Sequence, residues 1–322
     1  MSNYKSTRVA VLGATGFIGR WVTKGLTQEG AELYLIVRNK SNAGRIYEQH
    51  KIAGRTIEMD LSQPEKLLKL FHEIRPSITF NLVGYGVDPG EREETKYFEI
   101  NSDLVQYLCS AIESSRNRDW DGLNLVHAGS ALEYGDANGE LMEDAETRPT
   151  TLYGKSKLMG TLFLSEQVKT NRLKGVTARL FTVYGPGEHA GRLLPALLNA
   201  AYSGSPLPLT NGTQMRDFTF VRDVADGLLQ LGLAKPQESI VNLATGRLST
   251  VKSFAQTCAQ ILRIPAENLL FGALPTRPEE MTHTSVSIER LRKAIGWTPP
   301  TTMADGIRET VEWDSERMKD EG

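Results

Sequence analysis

The sequence predicts an α/β fold: a doubly wound, mostly parallel sheet with a smaller C-terminal α/β substrate-binding lobe. Three observations carry that reading. Short apolar runs rich in β-branched residues recur through residues 1–181, and stretches of helical periodicity separate them. The runs are apolar on both faces, as strands buried in a parallel sheet are. The first run, Arg8–Leu12, leads directly into a glycine turn and a helix.

Taken in order, the helix after the turn extends to about Gln28, and Glu32–Val37 is the second strand. Residues 55–60 form a third strand, with a helix from Pro64, and residues 77–83 a fourth. A long amphipathic helix covers 91–114 with Asn101 inside it; residues 122–126 are the fifth strand. Pro149, Thr150 and Thr151 read as a helix start, because threonine hydroxyls cap free N–H groups, and that helix runs to about Val168. Residues 175–181 complete the sheet pattern. From Thr182 the composition shifts: a Tyr184-Gly-Pro-Gly187 loop, an apolar helix at 193–198, strands at 218–221 and 241–244, and helices at 223–233, 250–262, 288–295 and 303–313. The division expected is a dinucleotide-binding domain over 1–181, to which 216–246 returns elements, and an interleaved lobe over 182–322.

Composition narrows the class. The chain has 322 residues, 40% hydrophobic and 24% charged, a balance suited to a globular protein of one large or two smaller domains. A net charge of −2 provides no general attraction to nucleic acid or an anionic membrane. Cys109 and Cys258 stand far apart without metal-ligand spacing and read as buried thiols in a reducing compartment. No run is long and apolar enough to span a bilayer, and Met1 to Thr7 contains no apolar signal region. The expectation is a cytoplasmic protein with no metal, nucleic-acid or membrane partner.

The glycine turn is Gly13-Ala-Thr-Gly-Phe-Ile-Gly19. Strand, glycine turn and helix in succession aim backbone N–H groups and the positive helix end at a pyrophosphate, the Rossmann-type arrangement. Gly13, Thr15, Gly16, Phe17, Ile18 and Gly19 are the residues expected around it. Arg38 and Asn39 follow the second strand, where an acid binds a free ribose 2′-OH and a cation suits a 2′-phosphate. Arg38 therefore favours NADP(H) over NAD(H). Asp60 and Leu61 end the third strand, placed for an adenine amine or, alternatively, for capping the next helix. Leu82, Val83 and Gly84 end the fourth, where Gly84 lets the backbone approach a cofactor.

Tyr153 and Lys157 lie four apart on one helical face. A phenol titrates near 10, and an adjacent ammonium is expected to lower that value into a useful range. Ser130 arrives at the carboxyl end of the fifth strand, where its hydroxyl can polarise a carbonyl beside Tyr153. Asn101 within its helix reads either as a solvated polar residue or as one that bends the helix and holds water near the site. Glu133 reads as a surface charge at a strand end.

Together these residues resemble the extended short-chain dehydrogenase/reductases, the nucleotide-sugar epimerase, dehydratase and reductase group. Gly13, Gly16 and Gly19 match the family's glycine spacing, Asp60-Leu61 its adenine contact, Asn101 its helix asparagine, and Ser130, Tyr153 and Lys157 its catalytic set. Arg179-Leu-Phe-Thr-Val-Tyr-Gly-Pro-Gly187 is similar to a family segment that usually has Asn where this chain has Thr182. The resemblance implies that Phe181 and Val183 meet the cofactor and that Thr182, Leu193 and Leu194 shape the sugar pocket. It also implies that Arg216 and Arg277 hold a diphosphate, and that two long helices pair in a four-helix homodimer. Ala131-Leu132 stand where family dehydratases have Asp-Glu, which argues against dehydration. The expected function is NADPH-dependent 4-ketoreduction of an NDP-4-keto-6-deoxyhexose. A 4-epimerase with tightly held NAD, reduction of a small carbonyl compound, and an NADP-binding regulator without chemistry remain as alternatives.

Overall fold

In the computed structural model, which describes residues 3–87, 90–117, 119–276 and 281–320, strand β1 (Arg8–Leu12) leads through α1 (Phe17–Gln28) to β2 (Glu32–Val37), its parallel neighbour. Helix α2 (Ala43–His50) leads to β3 (Arg55–Glu58) at the sheet edge. The chain then crosses back through α3 (Pro64–Ile74), and β4 (Ile78–Asn81) pairs with the other side of β1. Next come α4 (Glu94–Phe98), a π-helical turn (Glu99–Asp103) and α5 (Leu104–Ser115), which lead to β5 (Leu125–Ser130) beside β4. Short β6 (Glu140–Leu141) and long α6 (Leu152–Lys169) precede β7 (Gly175–Leu180), which pairs with β5.

The remaining elements are β8 (Thr182–Tyr184), α7 (Leu193–Ser203), β9 (Leu207–Leu209), β10 (Met215–Phe220), α8 (Val221–Leu233) and β11 (Ile240–Leu243). They continue through β12 (Leu248–Thr250), α9 (Val251–Leu262), β13 (Leu269–Phe271), β14 (Ser285–Val286), α10 (Glu289–Ile295) and α11 (Met303–Asp320). The described residues form a seven-stranded sheet ordered β11-β7-β5-β4-β1-β2-β3, parallel throughout. The strand order reverses between β1 and β4, so a crevice opens at their carboxyl ends. Among the described residues no helix is long and apolar enough to cross a membrane.

Both sheet faces are covered. Val9, Val11, Phe80, Val126, Val176 and Val241 pack under α1 and α8, and Ala10, Leu12 and Leu125 face α3, α5 and α6. A separate core of Leu194, Leu197, Phe218, Phe254 and Ile307 holds the C-terminal elements, with Tyr184, Phe218 and Phe254 in mutual ring contact. Two element boundaries moved in ways that matter. The fifth strand begins at Leu125 and runs through Ser130, so the serine is part of the ladder. The helix expected over 91–114 is interrupted by the π-turn centred on Asn101. Strands of two or three residues, such as β6 and β8, were too short to register as apolar runs.

His50, at the end of α2, is buried edge-on against Trp21 with ring centroids 5.0 Å apart, and it also meets Trp313 at 6.2 Å. Burial, then the Arg20, Lys24 and Arg222 cations, push its pKa from the ordinary 6.5 down to about 4. The unfolded chain binds this proton below about 6.5 and the folded chain only near 4. Stability is therefore full above the unfolded value and declines as pH falls between the two, by up to about 3 kcal/mol. A His50→Phe variant should show a flatter dependence of melting temperature across that window than the parent; parallel curves would exclude His50 as the source.

Candidate active site

The glycine loop is shaped by close backbone approaches. Gly13 has φ +81°, and a Cβ there would lie 3.0 Å from the Leu82 carbonyl oxygen. At Gly19 a Cβ would fall 1.9 Å from the Gly13 carbonyl oxygen, so no larger residue fits where α1 meets the loop. Helix α1 opens on Gly16 with no side-chain cap and no acid in its first turn. Its N–H groups and positive end are thus left for an external anion, which fits the diphosphate of a dinucleotide. Arg20, which the sequence reading missed, ties the loop down from Nε to the Gly16 carbonyl at 3.2 Å and from Nη2 to that of Thr15 at 3.3 Å. Thr15, Phe17 and Ile18 are partly exposed around the turn.

At the tip of β2, Arg38 is exposed and has no side-chain partner among the described residues, while Asn39 Oδ1 accepts from the Ser41 N–H at 2.8 Å. Asp60 does not cap α3. Its Oδ1 accepts from the Ser62 N–H and hydroxyl at 3.0 and 2.9 Å, a local turn that holds the carboxylate below its ordinary pKa. Leu61 packs partly buried beside it.

Helix α6 brings the other group together. The Thr151 hydroxyl accepts from the Gly154 N–H at 3.0 Å, the expected cap. Lys157 is almost wholly buried, and its ammonium donates to the Val83 carbonyl at 3.0 Å and the Ala128 carbonyl at 3.1 Å. It thereby joins the ends of β4 and β5. Tyr153 is partly buried, its phenol close enough to Ser130 for the serine hydroxyl to oppose the rise in its pKa. A Cβ at Gly84 would stand 3.5 Å from Lys157 Nζ and 3.8 Å from the Tyr153 hydroxyl, so Gly84 faces both groups across the crevice. The Asn101 amide is fully engaged: Oδ1 accepts from the Tyr85 N–H at 3.0 Å, and Nδ2 donates to the Tyr85 carbonyl and Ser156 hydroxyl, both at 2.9 Å. Its side chain positions the loop after β4 and is not free to hold water.

Two electrostatic expectations are corrected. The phenol of Tyr153 is raised, not lowered: burial is the main cause, with the Glu133 charge adding to it and the Ser130 contact and Arg192 opposing. The Lys157 ammonium donates to two carbonyls and stands 6.0 Å from the Tyr153 ring centre, and its pull does not outweigh the burial of the phenol. Burial lowers Lys157 itself to about 8, with Glu133 holding it up. Glu133 is no surface charge; it is fully buried. Its carboxylate accepts from the Ser130 N–H at 2.8 Å and the Thr161 hydroxyl at 3.1 Å, and it is ion-paired with buried Arg179 at 2.9 Å. Only the turn that follows Ser130 folds this acid inward, so its place in the sequence carried no signal of burial.

Of the residues expected to shape the sugar pocket, Thr182 is partly exposed, and Phe181 and buried Val183 flank it. Thr182 pairs with Phe218 across β8 and β10, which places half-buried Arg216 two residues upstream on the neighbouring strand. Leu194 is 1% exposed in the lobe core, so of the two leucines only Leu193 retains surface for a ligand. Arg277 lies outside the described residues. Unforeseen here are Arg192, whose charge reaches Tyr153, and Glu188, its ion-pair partner at 3.5 Å. Burial pushes Glu188 up to about 7 against the pull of Arg192.

The chain is similar to known proteins over nearly its whole length. A family described as NAD dependent epimerase/dehydratase matches residues 9–244. The chain is 30% identical over 314 residues to a dTDP-6-deoxy-L-talose 4-dehydrogenase (NAD(P)(+)) of Kitasatospora kifunensis, covering 94% of each chain. It is 24% identical to a dTDP-glucose 4,6-dehydratase of Neisseria gonorrhoeae, over 95% of this chain and 94% of that one. The solved structure of MoeE5 in complex with UDP-glucose and NAD superposes with a TM-score of 0.81 at 26% identity, covering 97% of this chain and 99% of that one. The chain belongs to the NAD-dependent epimerase/dehydratase family, the extended short-chain dehydrogenase/reductases, and is an enzyme of the oxidoreductase type.

Proposed function

We propose that this enzyme is an NADPH-dependent 4-ketoreductase of an NDP-4-keto-6-deoxyhexose. The observation that carries the reading is the meeting of Ser130, Tyr153 and Lys157 at the carboxyl ends of β4 and β5, opposite the glycine loop. A raised phenol pKa favours the protonated form, the form that a reduction consumes. Bound against the loop, NADPH supplies the hydride. Tyr153 gives its proton to the carbonyl oxygen as that oxygen becomes a hydroxyl, and Ser130 donates a hydrogen bond to the same oxygen. Two of the three Lys157 N–H bonds are engaged by carbonyls, which leaves one for a cofactor ribose hydroxyl. Arg38, with no side-chain partner among the described residues, suits the 2′-phosphate that distinguishes NADPH. Arg216 and Arg277 are assigned to the substrate diphosphate. The Kitasatospora relative is named for the same redox step in the opposite direction, at C4 of a dTDP-6-deoxy sugar.

A second reading is 4-epimerisation with retained NAD, supported by the NAD complex of MoeE5 and by epimerase relatives such as the UDP-glucose 4-epimerase of Azospirillum brasilense. A cofactor-binding regulator without chemistry is set aside, because the family and its named relatives are enzymes. We further propose a homodimer through α5 and α6. Leu152, Met159 and Leu162 stand exposed on the side of α6 away from Tyr153 and Lys157, and such an apolar stripe is expected to meet a second copy.

Three measurements test these assignments. Single-turnover oxidation of NADPH with a panel of NDP-4-keto sugars should be fast in the wild type and at least about a hundredfold slower in Tyr153→Phe, with cofactor binding retained. Protein purified with NAD(H) bound and unable to consume NADPH would instead mark an epimerase. Arg38→Asp should raise the KM for NADPH by about tenfold or more while leaving that for NADH lower or unchanged; equal effects on both would remove Arg38 from the 2′-phosphate. Sedimentation should give twice the chain mass for the wild type and the single chain mass for Leu162→Glu, and a monomeric wild type would overturn the dimer.

A further inference from the structure

Glu133 takes no part in the proton transfer above, yet it touches the main chain of one reacting group and the helix that carries the other two. One oxygen, Oε1, receives both the Ser130 N–H and the Thr161 hydroxyl, and Oε2 receives Arg179 Nε. Thr161 lies one turn beyond Lys157 and two beyond Tyr153, on the same face of α6. A Cβ at Gly129 would stand 2.7 Å from Oε1, so the strand has no side chain where the carboxylate enters. One buried charge thus fastens the end of β5 to α6 and stands close to the site's acid and its ammonium.

We propose that Glu133 is a positioning residue of the ketoreductase: its buried carboxylate seats Ser130 against α6 and adds a negative charge that favours the proton-carrying forms of Lys157 and Tyr153. This rests on the reductase reading. The other groups that bear on the pair are few. Arg192 at the start of α7 and Glu91 in the loop before α4 act on Tyr153 in opposite senses. His127 on β5 faces the Lys157 charge as a neutral imidazole, held far below its ordinary pKa by burial. Around Glu133 itself stand Arg179 of β7 and, beyond it, Glu143, whose backbone carbonyl accepts from Arg179 Nη1 at 3.2 Å. The Glu133 charge raises both Tyr153 and Lys157, so its removal lowers both and brings the loss of the donating form to lower pH.

The test is the pH profile of Glu133→Gln/Arg179→Met, since replacing both partners of a buried ion pair spares the fold the unpaired charge a single change would leave. Two readouts are taken on wild type and variant. One is the basic limb of NADPH consumption with a keto sugar. The other is tyrosinate absorbance, each protein minus its own Tyr153→Phe form. In the folded variant both should move down by about one pH unit; curves that coincide with wild type overturn the proposal. If the double variant does not fold, Glu133→Asp decides, because it keeps the charge but shortens the reach. Its basic limb should stay in place while kcat falls about tenfold with little change in KM, and a moved limb or an unchanged kcat overturns the proposal. A wild type that turns over no keto sugar refutes the reductase reading alone, since the tyrosinate titration still reads the effect of Glu133.

Discussion

The site depends on how closely α6 lies against the turn after β5 and the π-turn at Asn101. Two glycines permit it: a Cβ at Gly154 would fall 2.3 Å from the Leu132 carbonyl oxygen, and one at Gly160 would fall 2.4 Å from that of Asn101. With backbone against backbone, Lys157 reaches the carbonyls at both strand ends. Burying an ammonium is unfavourable, and two carbonyls together with the Glu133 charge offset the cost without erasing it, as its lowered pKa records. A helix held farther out would leave the lysine in solvent and Tyr153 remote from Ser130.

The same economy of buried carboxylates ties the C-terminal elements to the sheet. Glu143 Oε1 accepts from the Asn242 N–H at 2.8 Å, and the Asn242 side chain accepts from the Tyr134 hydroxyl at 2.7 Å and donates to the Leu141 and Ser287 carbonyls. Asp217 gathers the Thr245 N–H and hydroxyl and the Arg247 N–H, and Asp223 holds both donors of Thr301. Asp217 and Asp223 each satisfy more than one donor, which offsets part of the cost of burying them, although burial still raises both carboxyl groups. The C-terminal elements are therefore braced against β11 and the residues that follow it.

Much of the sheet was legible because its central strands are apolar on both faces and β-branched, a pattern that survives any context. The glycine loop was legible because Gly13 and Gly19 answer steric demands that no other residue meets. The π-turn at Asn101 was only half visible: the polar residue was noticed, while the bond pattern that widens the helix depends on Tyr85 and Ser156, brought in from elsewhere. Arg20 and Arg192 escaped notice because an arginine that folds back on a loop has the same local sequence as one in solvent.

The sequence by itself determined the order of elements, the glycine turn and the i, i+4 pairing of Tyr153 with Lys157, since each is a matter of local geometry. Only the tertiary structure decided the protonation of that pair and the place of Glu133. Those depend on which charges are stripped of water and which donors reach them, and burial is a property of the assembled fold rather than of any stretch of chain.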